Sequence, residues 1–103
     1  MIVYNVTCNV AREIEKKWLQ WIDLKLNDLS KSKKISSTTI LKLNTNNPTE
    51  GTVYALQYQI KNQNSLESFL KEEDQAIKDQ IKRQFGEAVL HFSSQLEIIK
   101  QYP

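Results

Sequence analysis

Ile2-Val3-Tyr4-Asn5-Val6-Thr7-Cys8-Asn9-Val10 is the stretch that decides the architecture. Ile2, Tyr4, Val6, Cys8 and Val10 are apolar, and Val3, Asn5, Thr7 and Asn9 alternate with them. A period of two predicts a strand with one buried face. Residues 12–30 change to helical spacing: Ile14, Trp18, Ile22, Leu26 and Leu29 recur every three or four positions, and Leu19 and Trp21 widen the stripe. Leu24 falls outside it. Ala11 stands where a capping Ser, Thr or Asp would be expected.

The rest of the chain repeats the pattern. Residues 35–44 are rich in β-branched side chains and read as a second strand. Asn46-Asn47-Pro48 and Gly51 mark a turn. Residues 52–60 alternate again, with Tyr54, Leu56, Tyr58 and Ile60 set against Val53, Ala55, Gln57 and Gln59. Asn64 and Glu67 resemble a capping box for a second helix. Its stripe is Leu66, Phe69, Leu70, Ile77, Ile81 and Phe85, and Gly86 supplies a stop. Residues 88–99 give a last strand, with Leu90, Phe92, Leu96 and Ile98 assigned to the buried side. Two amphipathic helices on a βαββαβ chain predict an α+β two-layer sandwich. Both helices cover one face of an antiparallel sheet, and right-handed crossovers make 4-1-3-2 the expected strand order, the ferredoxin-like arrangement.

Composition bounds the function. The 103 residues make one domain, 1–103, with 40% apolar and 25% charged residues. Fourteen basic and 12 acidic residues leave a net charge of +2, too weak a bias to argue for nucleic acid or an anionic membrane. Cys8 and His91 are single, so no intrachain disulfide or single-chain metal site is expected, and no cofactor. With no leader pattern at the start and no run near the ~20 apolar residues of a membrane span, a cytoplasmic protein is expected, and the Asn5-Val6-Thr7 sequon carries no meaning.

Some of these residues carry a resemblance. Met1-Ile2-Val3-Tyr4-Asn5-Val6-Thr7, Trp18-Leu19-Gln20-Trp21, Leu41-Lys42-Leu43, Tyr54, Gln57-Tyr58, Phe85-Gly86 and Leu96-Glu97 together resemble a bacterial family of short ferredoxin-like proteins catalogued as a domain of unknown function. The resemblance spans nearly the whole chain and implies the fold, with no known activity. The chain departs from that family's pattern at Ala11, where an acidic cap is typical. It departs again at Ser93-Ser94, where an Arg-Thr pair is typical.

Strand parity predicts which residues face away from the helices. That open face should carry Val3, Asn5, Thr7 and Asn9; Thr38, Ile40 and Lys42; Val53, Ala55, Gln57 and Gln59; and Val89, His91, Ser93, Gln95 and Glu97. It is polar and nearly uncharged, unlike a face washed by bulk water. The expectation is a homodimer joined through this face, enclosing a polar cavity for a small molecule. Asn5, Thr7, Gln57, His91, Ser93 and Glu97 are its candidate ligand-binding residues. Two other functions stay open: an enzyme of the dimeric α+β barrel type with His91 as acid–base residue, and a protein-interaction adaptor using Leu24 or a free edge strand.

Other candidates read as structural. Cys8 falls on the opposite face from His91, so a Cys–His pair is not expected. Trp18 and Trp21 read as core, and the Lys31–Lys34 cluster as a solvated helix end. Glu72, Glu73 and Asp74 read as a wet helix face. RNA binding is not expected, because Tyr4, Tyr54 and Tyr58 point to the core instead of stacking bases on the open face.

Overall fold

The computed structural model describes residues 1–44 and 51–103, so the turn expected at Asn46-Asn47-Pro48 lies outside the described residues. Four strands form: β1 (Ile2–Val10), β2 (Ile35–Lys42), β3 (Thr52–Ile60) and β4 (Val89–Glu97). Between them lie α1 (Glu15–Leu29), α2 (Gln63–Phe69) and α3 (Gln75–Phe85). The sheet order is β2-β3-β1-β4, every neighbour antiparallel, which is the expected 4-1-3-2 order read from the other edge.

β1 and β3 are the central strands and carry the core. Tyr4, Val6, Cys8 and Val10 alternate with exposed or half-buried neighbours, as do Tyr54, Leu56, Tyr58 and Ile60. The helices lie over this side. Trp18 and Ile22 of α1 are fully buried, and so are Leu66 and Phe69 of α2. Tyr4, Tyr58 and Phe69 form an aromatic cluster with centroids 4.9–6.1 Å apart. Trp21 meets Phe85 edge-on at 5.7 Å, so both tryptophans belong to the core.

The helix ends differ in detail from the expectation. Ala11 offers no side-chain cap, and the chain enters α1 through a 3-10 turn, Arg12–Ile14. The second helix is capped by Asn62, two residues before the expected Asn64: its side chain accepts from Ser65 N–H at 2.8 Å. Between α2 and α3 the rod continues as one π-helical turn, Leu70–Asp74. Gly86 ends it at φ +56°, as expected.

The edge strands depart from the predicted parity. Register pairs Val10 with Val89, Cys8 with His91, Val6 with Ser93, Tyr4 with Gln95 and Ile2 with Glu97. Residues directly opposite share a face. His91, Ser93, Gln95 and Glu97 therefore lie on the helix side, and Leu90, Phe92 and Leu96 on the open side, the reverse of the assignment above. β2 is likewise inverted: Thr38, Ile40 and Lys42 pair with Tyr58, Leu56 and Tyr54, leaving Thr39 and Leu41 on the open face. The physical reason is the narrow helix layer. It covers β1 and β3 but, of the edge strands, buries only Val89 fully and Ile35 in part, so the other apolar residues of the edges had no core to reach. β2 also carries a register irregularity between Ile35 and Ser37, whereas the β1–β4 register is unbroken.

Gly51 enters β3 at φ +83°, and a Cβ there would sit 2.5 Å from the Val10 carbonyl oxygen. Both the left-handed backbone and the close approach require glycine. Gly51→Ala is expected to lower unfolding free energy by on the order of 2 kcal/mol in urea titrations. An unchanged midpoint would contradict this account.

Candidate functional site

The open face is built from alternate residues of all four strands. Its centre is polar: Asn5, Thr7 and Asn9 from β1, Gln57 and Gln59 from β3. Gln57 Nε2 donates to Asn5 Oδ1 at 3.3 Å, and Asn5 Nδ2 donates to Thr7 Oγ1 at 3.0 Å. Its margins are apolar. Leu41 lies on one side, extended by Leu43, whose N–H bonds the Val53 carbonyl at 2.8 Å. Leu90, Phe92 and Leu96 lie on the other, at 60%, 67% and 50% exposure. With Lys42 and Glu97 moved off it, this face of the four strands holds no charged side chain, although a quarter of the chain is charged. The parity correction thus sharpens the lack of charge and adds an apolar margin.

Of the expected ligand-binding residues, Asn5, Thr7 and Gln57 are brought together here. His91, Ser93 and Glu97 are exposed on the other side of β4. His91 therefore cannot act within an open-face cavity, which removes the acid–base role assigned to it there.

On the helix side, a second polar cluster joins β1, β4 and α3. Tyr4 Oη donates to Asp74 Oδ2 at 2.8 Å. Lys78 Nζ donates to Tyr4 Oη and to Ser93 Oγ, each at 2.8 Å, and pairs with Asp74 at 2.9 Å. Asp74 is only 5% exposed, so it leaves the wet face on which the sequence placed it. Lys34 belongs to a neighbouring pair, bonding both Glu72 and Glu73, so it is tied down and the rest of the Lys31–Lys34 cluster is solvated. A groove of about 590 Å³ runs beside this cluster between α3 and β4, lined in part by Lys78, Ile81, Lys82, Val89 and His91. Sequence reading missed the cluster because Tyr4 read as pure core and Asp74 sat among exposed acids. The one signal was a phenol within an apolar row.

Neither nucleophilic pairing in this region is activated. Burial works against the Lys78 charge, but the bonds to Tyr4 and Asp74 hold its pKa above the ordinary lysine value. Lys78 is therefore a fixed cation and no base for Ser93. Cys8 does share a face with His91, contrary to expectation, but its thiol is fully buried and burial pushes its pKa up to about 12. Burial and the Lys78 charge lower the His91 pKa, leaving a neutral imidazole at neutral pH. Among the described residues, no three His, Cys, Asp or Glu side chains converge on a metal position. No helix among them is long and apolar enough to cross a membrane.

The family model described as Domain of unknown function (DUF4286) matches residues 1–99, and the chain belongs to that family. No curated protein matches it. Among solved structures it is similar to a dimeric ferredoxin-like protein from an uncultured marine organism. Identity is 12%, coverage is 98% of this chain and 97% of that one, and the TM-score is 0.78. It is similar also to a proposed antibiotic biosynthesis monooxygenase from Deinococcus radiodurans, at 13% identity, 100% and 97% coverage and a TM-score of 0.74. At these identities the likeness establishes the ferredoxin-like fold alone.

Burial of Cys8 and Tyr54 makes stability fall at high pH. The Cys8 thiol ionises near 9.0 in an unfolded chain and near 12 in the fold. Tyr54 moves from 10.0 to about 12, chiefly by burial and then by its bond to Glu15. Both protons are held more tightly by the folded state. The stability they contribute is complete below pH 9 and is lost as pH rises toward 12. Thermal melts should hold their midpoint up to about pH 9 and fall above it. Cys8→Ala should delay the onset; an identical profile in the variant would refute the assignment.

Proposed function

We propose that the chain works as a homodimeric small-molecule-binding module in which two open sheet faces stack and enclose a cavity. The observation that carries this reading is the charge-free open face with a polar centre and exposed leucine and phenylalanine margins. Solvated sheet faces carry Lys and Glu; exposed apolar rows mark contact surfaces. Four strands about 4.8 Å apart and nine residues at about 3.4 Å give a footprint on the order of 600 Å². Side-chain relief brings that toward the roughly 800 Å² per partner of a stable interface. The similar marine protein is described as dimeric, which supports a homodimer here.

The same chemistry restricts the ligand. Face-to-face stacking brings the apolar margins together and leaves Asn5, Thr7 and Gln57 lining the interior. These amides and the hydroxyl supply donors and acceptors and no counter-charge. A carboxylate, phosphate or ammonium would lose its hydration there without an ion partner. The cavity therefore suits an uncharged organic molecule that carries hydrogen-bonding groups.

Ala55 lies at the centre of the open face, opposite Thr7 and Leu41 and away from either sheet edge. Ala55→Arg buries an unpaired charge if the faces stack, so sedimentation equilibrium should show the assembly mass halved with helicity unchanged. A wild-type mass of one 12.0 kDa chain at micromolar concentration, or an unaltered mass in Ala55→Arg, would remove the reading. For the ligand class, benzamide should shift the side-chain amide resonances of Asn5 and Gln57. Benzoate and benzamidine should bind at least about tenfold more weakly, roughly 1.4 kcal/mol. Equal binding of the three probes would contradict an uncharged ligand.

A further inference from the structure

We propose that the outer edge of β4 is a self-pairing site, at which two copies of the chain join antiparallel along Val89–Glu97 about a two-fold axis at Ser93. The main-chain hydrogen bonds set the phase. Ile98 N–H donates to the Met1 carbonyl at 3.1 Å, and Ala11 N–H donates to the Ala88 carbonyl at 2.8 Å. Even-numbered residues of β4 thus turn their N–H and C=O toward β1. The odd-numbered set, Val89, His91, Ser93, Gln95 and Glu97, turns both groups outward. β4 ends the sheet, so these groups have no ladder partner among the described residues.

Edge strands are ordinarily blunted by lysine, proline, a bulge or a covering loop. β2 carries a register irregularity and Lys42. β4 has no Lys, Arg or Pro, its register is unbroken over nine residues, and all of it but Val89 is exposed.

The strand is also self-complementary. A two-fold axis at Ser93 opposes Ser93 to Ser93, His91 to Gln95 and Val89 to Glu97. Each is a pair of odd residues whose outward groups exchange both hydrogen bonds, so every free main-chain group is used. Between them, on the open face, Leu90 meets Leu96 and Phe92 meets Ser94. No pair sets like charges opposite each other. Each Lys78 near the axis brings its own counter-ion, Asp74 at 2.9 Å. Sliding the register by two residues shortens the overlap and separates the leucines, so the pattern selects one alignment. A second copy of this chain is the occupant whose sequence matches the edge along its length, as an isologous contact requires.

This join uses main-chain groups at the sheet edge and does not depend on face stacking. The two contacts use different groups of the chain, so either can form without the other.

Cysteine cross-linking reads the register directly. At the axis the two Ser93 Cα atoms would be about 5.5 Å apart, within the disulfide range. The two Gln95 positions would be about 14 Å apart. Both residues are exposed, and the native Cys8 is buried and does not compete. Under mild oxidation, Ser93→Cys should form a covalent dimer at least tenfold faster than Gln95→Cys. The same cross-link should form in the Ser93→Cys, Ala55→Arg double variant, whose faces no longer stack. Equal rates at the two positions, no cross-link at Ser93→Cys, or its loss in the double variant would overturn the proposal. Far-UV circular dichroism verifies the fold of each variant.

Discussion

Every structural consequence in this domain passes through β1. It is hydrogen-bonded on both sides along its whole length, to β3 and to β4. Opposed residues in a ladder share a face. The alternation of nine residues in β1 therefore dictates the facing of two other strands, and β3 passes it on to β2. Val10 and Cys8 turn inward, so Val89 and His91 must follow, whatever the composition of β4 alone suggests. Local hydrophobicity is overruled by a main-chain constraint, because a one-residue slip would break the ladder along the central strand.

That hierarchy explains what was legible in the sequence. The element order, the core faces of β1 and β3, the buried Trp18 and the Gly86 stop could be read because each lies under the helices or at a backbone position with one solution. The faces of β2 and β4 could not. Parity within a strand is visible from sequence, but the sign of that parity was assigned by sending the larger apolar set inward. At Leu90, Phe92 and Leu96 that rule fails, since the helix layer is narrower than the sheet. The lack of charge across the open face survived the error, because Asn5, Thr7 and Gln57 sit on central strands.

The cluster around Lys78 was hidden for a different reason. From Phe69 to Ile77 is eight residues, which in a regular α-helix leaves the two about 80° out of phase. The π turn Leu70–Asp74 lowers the twist per residue across that interval and returns Ile77 to the stripe. It also rolls Asp74 inward beneath Tyr4, which helical spacing alone does not reveal. The result ties α3 to both β1 and β4 through one ammonium group. The same strand whose open side and edge are exposed is thereby held on its helix side.

The contrast between the two sheet edges has a meaning best put in the language of polymer growth. A unit with two reactive ends adds to itself without limit, as strands with two bare edges do in a fibril. At its sheet edges, the proposed pairing makes this chain monofunctional. β4 is bare among the described residues, whereas β2 carries a register irregularity between Ile35 and Ser37 and has Lys42 at its far end. Main-chain pairing through β4 consumes the one reactive edge of each copy and leaves two blunted edges outward. Joining at the edge is then a termination step, and the sheet stops growing at eight strands.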